Sequence, residues 1–402
     1  SIDIMFSSQV AEVPLNIPTK CLEAVRADKT DSRFIVGTCA LHEPNDLTVM
    51  RFHSEINEVG IDGRLDHPSG PVGTLSTHPT DKYLLLSAAE ENPTVNLWRL
   101  PAEVMDRTDE FEYNPEAAEA QNNPSQSSPE IPHSLDLVTT LPHDPDCQIV
   151  DISWRDTSMD LDEERESNTS ADQVLTLGQS RTVTQWDLNT AQSVRSEDIS
   201  SDLAQLTPPK FSWDPHNAYS VAVTVGTSIQ MLDWRSDSSY VPTGTCSSIT
   251  KAHRYGVAAV DHNPNKPNVL ATAGHDGLLK FWDLRNARKP LLVARGGHSH
   301  YSCRVKYNPF HDQLVLSTGT DAIANLWRVS TISSAPIILG ESLSGGKSSA
   351  STNLRVSTFE HNDSVYAMAW GAADAWIYAT AGYDGKVALH HVPSTEKYKI
   401  LL

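Results

Sequence analysis

The sequence lacks the long apolar runs that membrane spans require. No stretch among its 402 residues approaches the run of about 18–20 apolar residues that crosses a bilayer as a helix. Its first residues, SIDIMFSSQVAEVPL, also lack the basic-then-apolar layout of a secretory signal peptide. We therefore expect a cytoplasmic protein without direct membrane insertion.

Cysteine is scarce, and its distribution argues against the common cysteine-based sites. The five cysteines are scattered, odd in number and free of any C-x-x-C pair. This pattern is unlike a disulfide framework or a zinc site, and it fits a reducing compartment. The phosphate-binding motif G-x-x-x-x-G-K and the Rossmann fingerprint are also absent. We expect no cofactor and no bound metal.

Positive charge is deficient. The chain has 31 Lys and Arg residues against 51 Asp and Glu residues, a formal net charge of -20. Nucleic-acid backbones and anionic membrane surfaces attract basic patches, so we expect no nucleic-acid partner. Basic protein partners, histone tails among them, stay open. Acidic loops that only keep the protein soluble would explain the same charge.

One stretch, residues 252–285, recurs along the chain and indicates the fold. It contains apolar runs at 257–260, 269–273 and 278–283 with turn residues between them, which predicts three short β-strands. In three copies an Asp follows a His by 23 residues, and a Trp or His follows that first His by 29. The three sets are His253, Thr272, Asp276 and Trp282; His298, Ser317, Asp321 and Trp327; His361, Thr380, Asp384 and His390.

These marks are typical of WD40 β-propeller blades, which repeat about every 40–45 residues. We expect each His to contact the Asp of a turn and the Ser or Thr of a strand, because a buried polar group without a partner costs about 1–3 kcal/mol. Ser317, His298 and Asp321 also have the composition of a hydrolase triad. A catalytic set need occur only once, whereas this one recurs. We therefore interpret the sets as structural tetrads and expect no enzyme.

The rest of the chain predicts four more blades. Two of them contain Trp98 with His67 and Trp186 with His143, whereas the first and the fourth blade lack part of the pattern. Three segments are acidic or rich in Ser, Gly and Pro, and such segments have too little apolar surface to order themselves. We predict flexible insertions there, at about residues 102–134, 155–172 and 334–356.

The predicted fold class is thus all-β, a seven-bladed WD40 β-propeller with disordered acidic insertions. Residues 1–18 would form an N-terminal extension, and residues 19–402 a single propeller. A closed ring needs a final strand to cover its last edge. Either residues 2–6 or the apolar run at 398–402 is expected to supply that strand.

A propeller without an active site binds partners through loops at one end of its ring. Residues directly after each blade-opening His should line that end, and Tyr and Arg are frequent interface anchors. Packing of these aromatic rings against neighbouring blades is the alternative explanation. The candidate partner-binding residues are Arg254, Tyr255, His300, Tyr301, Asp363 and Tyr366, together with Arg285 of a W-D-x-R motif.

Several segments of the chain have a distinctive sequence: CLEAVRA and SRFIVGT, NPNKPNVLATAGHDGLLKFWDLRN, HSHYSCRVKYNPFHDQLVLSTGTD, EHNDSVYAMAWGAADAWIYATAGYDG and the closing KYKILL. In these segments and their order the chain resembles the EARP and GARP complex-interacting protein family. The resemblance covers nearly the whole chain from about residue 20. It implies a non-catalytic scaffold of the endosome-associated recycling and Golgi-associated retrograde tethering complexes, peripheral to endosomes and the trans-Golgi network. Such a protein would be a monomeric propeller within a larger assembly and would support endosomal recycling and retrograde transport.

Two other hypotheses use the same fold. Trp282-Asp283-Leu284-Arg285 matches the W-D-x-R pattern of substrate receptors of cullin-RING ubiquitin ligases, and residues 232–235 approximate it. The net acidity and the WDLRN segment would also suit a histone-binding propeller. That class usually has a long N-terminal helix, for which residues 1–18 look too short and irregular.

Overall fold

The computed structural model describes residues 10–90, 92–107, 133–155, 173–199, 208–234, 247–335 and 353–401. Within these segments the chain forms seven antiparallel sheets of four strands each. The first strands of neighbouring sheets contact one another, and the seventh sheet contacts the first, so that the sheets form a closed ring. The predicted seven-bladed β-propeller is confirmed.

Strands are numbered along the chain, and β1 (Ala11–Pro14) belongs to the last sheet. The first sheet contains β2 (Thr19–Ala24), β3 (Ser32–Thr38), β4 (Asp46–His53) and β5 (Glu58–Asp66). The second contains β6 (Val72–Thr77), β7 (Leu84–Ala89), β8 (Thr94–Arg99) and β9 (Asp136–Pro142). The third contains β10 (Ile149–Trp154), β11 (Gln173–Gly178), β12 (Thr182–Asp187) and β13 (Gln192–Asp198).

The fourth sheet contains β14 (Phe211–Asp214), β15 (Asn217–Val225), β16 (Ser228–Asp233) and β17 (Ser248–Ile249). The fifth contains β18 (Val257–His262), β19 (Val269–Gly274), β20 (Leu279–Asp283) and β21 (Leu292–Ala294). The sixth contains β22 (Ser302–Tyr307), β23 (Leu314–Gly319), β24 (Ile323–Val329) and β25 (Asn353–Glu360). The seventh contains β26 (Val365–Trp370), β27 (Ile377–Gly382) and β28 (Lys386–His391), and β1 completes it.

The core lies between neighbouring sheets. Every residue of β19, β23 and β27 is buried, because these second strands are covered on both faces by the adjoining sheets. These strands combine large apolar residues at their start with small residues at their end, as in VLATAG and IYATAG. Phe34 and Met50 of the first sheet share one apolar cluster with Leu389 of the seventh. Apolar packing therefore seals the joint between the two ends of the chain.

The last strand of each sheet is the least regular. Strand β13, QSVRSED, is mostly exposed, and β17 has only two residues. Such strands have one partner and little apolar surface, so the sequence contains no clear periodic signal for them. Strand β25 begins at residue 353, inside the insertion predicted at 334–356, and that boundary was therefore placed too late.

The first predicted insertion also begins too early. Residues 102–105 form a short helix, α1 (Ala102–Met105), in which Val104 and Met105 are buried against the first two sheets. Both side chains were read as part of a solvated loop. The central parts of all three predicted insertions, at 108–132, 156–172 and 336–352, lie outside the described residues.

The strand that closes the ring was predicted in the wrong place. Strand β1 pairs antiparallel with β28, with Ala11 opposite Leu389 and Val13 opposite Val387. It lies within the predicted extension, so that part of residues 1–18 belongs to the seventh sheet. The predicted strand at 398–402 is instead part of a helix, α2 (Ser394–Leu401), and residues 2–6 lie outside the described segments.

Helix α2 has its own anchor, which explains why it does not extend the sheet. The carboxylate of Glu396 is buried and accepts a hydrogen bond of 2.6 Å from Arg328 of β24. Ile400 packs against the apolar cluster between the sixth and seventh sheets. The edge of β28 is already covered by β1, so this C-terminal segment packs on the outside of the ring.

Candidate functional site

The predicted tetrad of the fifth sheet is assembled around a single hydroxyl group. His253 lies 2.7 Å from Asp276 through Nδ1 and 2.8 Å from Thr272 Oγ1 through Nε2. The indole N–H of Trp282 donates to the same Oγ1 at 3.0 Å. Gly277 follows Asp276 with φ of 68°, a left-handed conformation that suits the tight turn holding this carboxylate. A proton on His253 Nδ1 gives every one of these atoms a partner.

The sixth sheet repeats this geometry. His298 lies 3.0 Å from Asp321 and 2.8 Å from Ser317 Oγ, and Trp327 donates to that hydroxyl at 2.9 Å. Burial opposes ionisation of both carboxyls, but the hydrogen bonds from the two His side chains lower their pKa values, that of Asp276 to about 2. The carboxylates therefore stay charged at physiological pH.

The seventh sheet uses histidine where the other two use tryptophan. Thr380 Oγ1 lies 3.0 Å from His361 Nε2 and 3.1 Å from His390 Nε2. Asp384 is 3.5 Å from His361 Nδ1. Burial, with the nearby charge of His361, lowers the pKa of His390 to about 3, so that its ring is neutral and replaces the indole.

Two further sheets contain a shortened version of the network. His67 lies 2.8 Å from Ser87 Oγ, to which Trp98 donates at 2.8 Å. In the third sheet His143 and Trp186 share Thr176 Oγ1 at 2.8 and 2.9 Å. In place of an Asp, each His Nδ1 contacts a backbone carbonyl oxygen. The order of residues along the chain therefore paired these His and Trp residues correctly, although neither pair keeps the spacing of the other three sets, but it did not identify the Ser and Thr between them.

The first sheet contains a charge network that sequence reasoning missed. Arg33 is buried and forms ion pairs with Asp28 and with Asp62, the latter at 2.9 Å. Arg51 contacts the other oxygen of Asp62 at 3.1 Å. The signal was present as Arg side chains within the apolar runs SRFIVGT and DLTVMRFH. This network lies toward the end of its sheet that contains the β2–β3 turn, to which Asp28 belongs, and thus away from the position that the tetrads occupy in their sheets.

These tetrads do not form a catalytic centre. Each lies inside its own sheet, and the His side chains are almost fully buried, which leaves no common cleft for a substrate. In the described segments no group of three or more His, Cys, Asp or Glu side chains is arranged to hold a metal ion. The same segments contain no helix long and apolar enough to cross a membrane.

Six of the seven candidate partner-binding residues lie at one end of the ring. We call it the histidine end, since it contains His253, His298 and His361 before the first strands of their sheets. The hydrogen bond from His253 to Asp276 places the turns between second and third strands there as well.

The aromatic candidates of this end are open to solvent. Tyr255 is 60% exposed, and the guanidinium of Arg254 lies 5.0 Å from the centre of its ring. Tyr301 is 44% exposed and stacks on His275 with ring centres 4.6 Å apart. Tyr301 thus packs against the neighbouring fifth sheet, as the alternative explanation expects, but like Tyr255 it keeps a large exposed surface.

The remaining candidates of this end differ from one another. His300 is exposed and its ring centre lies 4.2 Å from that of Tyr301. Asp363 is exposed and accepts a hydrogen bond from the backbone of Ser364. Tyr366 is partly buried and faces the centre of the ring.

A cavity of about 450 Å³ opens at the histidine end of the central channel. Residues of all seven sheets and of their connecting loops line it, so that it exists only in the closed ring. Its charged side chains are Lys20, Glu90, Lys210 and Arg304, and Tyr301 and Tyr366 stand beside them. We call this cavity the channel mouth. No residue of the mouth except the two tyrosines was singled out by the sequence pattern, because channel-facing positions follow no repeat.

Arg285 lies at the opposite end. It follows β20, where Leu284 N donates to Asn268 O of the β18–β19 turn. Its guanidinium makes two hydrogen bonds with Asp283, at 2.9 and 2.8 Å, and is largely exposed. The W-D-x-R motif is thus on the surface, with its Arg side chain held by the Asp of the same motif. The weaker copy at 232–235 ends outside the described residues.

Comparison with known proteins gives consistent matches over nearly the whole chain. A family model described as EIPR1 beta-propeller matches residues 167–327, and one described as WD domain, G-beta repeat matches residues 353–391. EARP and GARP complex-interacting protein 1 of Rattus norvegicus is 30% identical to this chain, over 96% of the chain and 97% of that protein.

More distant relatives match over similar lengths. EARP-interacting protein 1 of Caenorhabditis elegans is 24% identical, over 96% of this chain and 97% of its own length. WD repeat-containing protein DWA2 of Arabidopsis thaliana is 26% identical, over 94% of this chain and 95% of its own length. The likeness therefore extends across all seven sheets.

Proposed function

The chain belongs to the EARP and GARP complex-interacting protein family, and on that premise we propose that it is a non-catalytic scaffold of the endosomal recycling and Golgi retrograde tethering complexes. The observation that supports this most directly is the likeness to relatives of that name along the entire chain. In this role the protein associates with tethering-complex subunits, lies peripheral to endosomes and the trans-Golgi network, and supports recycling and retrograde transport.

We place the partner-binding surface at the histidine end. Its exposed tyrosines provide large contact area with few rotatable bonds, and such residues commonly dominate binding energy. The channel mouth beside them offers buried charge, which gives an interface its selectivity. The residues proposed for contact are Arg254, Tyr255, His300, Tyr301, Asp363 and Tyr366.

Affinity purification of the tagged full chain, followed by mass spectrometry, tests this proposal. Recovery of subunits of the tethering complexes is the expected result. As a matched control, the same tag is placed on an unrelated WD40 propeller, since propellers share a general tendency to bind proteins. Recovery of core histones or of a cullin-RING ligase adaptor, without tethering subunits, would contradict the proposal and favour one of the other hypotheses.

A substrate-receptor role remains the second candidate because of Arg285. An interface on the W-D-x-R motif would need to contact the opposite end of the ring, where Arg285 is exposed. It would also need to compete with the two hydrogen bonds that Asp283 makes to this guanidinium. The motif is therefore exposed, but its Arg285 side chain is already hydrogen-bonded to Asp283, and this weakens the ligase hypothesis.

A further inference from the structure

The channel mouth contains more positive charge than its own carboxylates neutralise. Lys20 is paired with Glu90 at 2.7 Å, and Lys210 lies 3.4 Å from Asp151. Arg304 donates to the backbone oxygen of Tyr366 at 3.3 Å, and among the described residues no carboxylate pairs with it. One full positive charge is thus left in a cavity that is closed on its sides by seven strands.

This excess is unusual in a chain with a net charge of -20. Burial, together with the neighbouring positive charge of Arg304, lowers the pKa of Lys210 to about 8, although Asp151 opposes that effect. Repulsion between Lys210 and Arg304 raises the free energy of the protein when both are charged, and Asp151 offsets it only at Lys210, so that a further anion beside Arg304 would be favourable. The mouth therefore favours a ligand that brings negative charge.

The surroundings of the mouth fit a peptide better than a free polyanion. Tyr301 lines the opening, is 44% exposed, and can pack against the backbone and apolar side chains of a ligand. A ligand of high negative charge would be repelled by the acidic remainder of the protein, whereas one or two carboxylates would not. The cavity volume of about 450 Å³ accommodates side chains of a peptide, not a folded element.

We propose that the channel mouth binds an acidic peptide segment of a protein partner, with a Glu or Asp side chain of that peptide entering between Arg304 and Lys210. Tyr301 holds the peptide at the rim. The proposal rests on the proposed function only in that a tethering-complex subunit would supply the peptide. Its chemistry is independent of which protein that is.

The test uses the purified full chain and two labelled hexapeptides in a fluorescence anisotropy titration at low salt. One peptide is acetyl-Gly-Glu-Glu-Leu-Gly-Gly-amide, and the other has Gln in place of both Glu residues. We expect saturable binding of the Glu peptide and affinity for the Gln peptide that is at least about tenfold weaker, which corresponds to about 1.4 kcal/mol. Equal affinities, or no saturation with the Glu peptide, would overturn the proposal.

Three variants locate the binding. Arg304→Gln should weaken binding of the Glu peptide about tenfold. Gln179→Glu, at an exposed residue of the cavity wall, adds a competing carboxylate and should weaken it as well without disturbing the fold. Arg288→Gln removes the same charge as Arg304→Gln from an exposed position after β20, and it should leave affinity unchanged. Equal losses in the Arg304 and Arg288 variants would show only general electrostatics and would reject the site.

A competition experiment distinguishes a site for carboxylates from a site for phosphates. Inorganic pyrophosphate should displace the Glu peptide only weakly. Displacement at lower concentration than unlabelled peptide would identify a phosphate site and would contradict the peptide proposal. Since the assay contains only the chain and a probe, its failure leaves the recovery of tethering subunits as a separate question. Melting curves of each variant confirm that it is folded.

Discussion

At the scale of single residues, Ser317 illustrates how much depends on one hydroxyl. It is fully buried and bonds both His298 Nε2 and Trp327 Nε1. Ser317→Ala would leave the buried indole N–H of Trp327 without a partner, at a cost of about 1–3 kcal/mol, and would leave His298 Nε2 with only Asn325 Nδ2 at 3.3 Å. We expect the free energy of unfolding to fall by about 1–3 kcal/mol in urea titrations.

Ser299→Ala is the matched control for that substitution. Ser299 is exposed and its hydroxyl contacts Asp321 only at 3.5 Å. Its removal should change the stability by less than about 0.5 kcal/mol. A Ser317 variant as stable as this control would mean that the tetrad contributes little to the fold.

Ionisation of Asp261 should affect the stability of the fold in the direction opposite to ionisation of the tetrad carboxyls. It accepts a hydrogen bond of 2.7 Å from Tyr307 N, yet burial raises its pKa from 3.8 to about 6. The folded protein therefore binds this proton more tightly than the unfolded chain does, and ionisation destabilises the fold as pH rises through that window. Asp261→Asn should raise stability by about 1–2 kcal/mol at pH 7.5.

That gain should shrink as the pH falls through about 6 and should disappear below about 3, where the wild-type carboxyl is protonated in both states. Thermal denaturation at several pH values measures the difference between variant and wild type. Asp136→Asn, at an exposed residue of β9, is expected to show no such trend. A gain for Asp261→Asn that is constant across the pH range would contradict burial as its cause.

Contacts between side chains were predictable where a fixed spacing repeats along the sequence. They were not predictable where that spacing is absent. The offsets of 23 and 29 residues place His253, Asp276 and Trp282 together, because identical blades bring identical positions into contact. Ser87 and Thr176 follow the same geometry, but insertions and missing acids hide them. Arg304 and Lys210 have no sequence signal, since channel-facing residues meet only when seven distant strands close into a ring.

At the scale of elements, helix α1 shows that an insertion can begin with structural residues. Met105 is fully buried among residues of the first two sheets. Met105→Ala would leave a cavity there, and such changes typically cost about 2–5 kcal/mol. We expect a clear fall in the melting temperature, whereas Glu103→Ala on the exposed side of the same helix should be neutral. Equal melting temperatures for both variants would restore the interpretation of residues 104–105 as a solvated loop.

Strand β1 provides the second prediction at this scale. Val13 is partly buried against the cluster that joins the first and seventh sheets. Val13→Asp would place a charge at this joint and should lower stability by about 1–3 kcal/mol, because a buried charge without a partner is strongly unfavourable. Chemical denaturation with intrinsic tryptophan fluorescence follows the change.

Glu12→Gln serves as its control in the same strand. Glu12 points outward and pairs with Lys386 at 3.2 Å, a surface contact of small value. We expect a change of less than about 0.5 kcal/mol. Similar losses in both variants would show that strand pairing, rather than burial of Val13, determines the closure.

The inner strands of the blades were predictable, whereas the segment that closes the ring was not. Apolar runs such as VLATAG are bounded by turn residues and are therefore recognisable as β-strands in the sequence. The run at 398–402 looked like a strand, but the free edge of β28 was already covered by β1, and the helix found its own contact through Glu396. Two segments could pair with the free edge of β28, and the sequence of neither segment alone indicates which of them does so.

At the scale of the whole molecule, the two ends of the ring separate the competing hypotheses. Arg285 lies at one end, and Tyr301 lies at the other beside the channel mouth. We predict that Arg285→Ala leaves the recovery of tethering subunits unchanged, whereas Tyr301→Ala reduces it about tenfold, as anchor residues often do. Quantitative mass spectrometry of purified complexes measures both.

Both substitutions remove a large exposed side chain, so each is a control for the other. Loss of the subunits in the Arg285 variant, with its fold intact, would move the interface to the opposite end. Unchanged recovery in both variants would place the interface on neither of these two residues.

Ring closure by β1 also means that the ring can close only late in translation, after β28 has been synthesised. Lys386 and Glu12, which meet across this joint, are 374 positions apart in the chain. A ribosome that adds about 5–20 residues per second needs about 20–75 s to travel that distance. Throughout this time the first strand has been translated but its partner has not. The nascent chain therefore waits with an uncovered edge, and chaperones that shield such edges have their longest opportunity before β28 emerges.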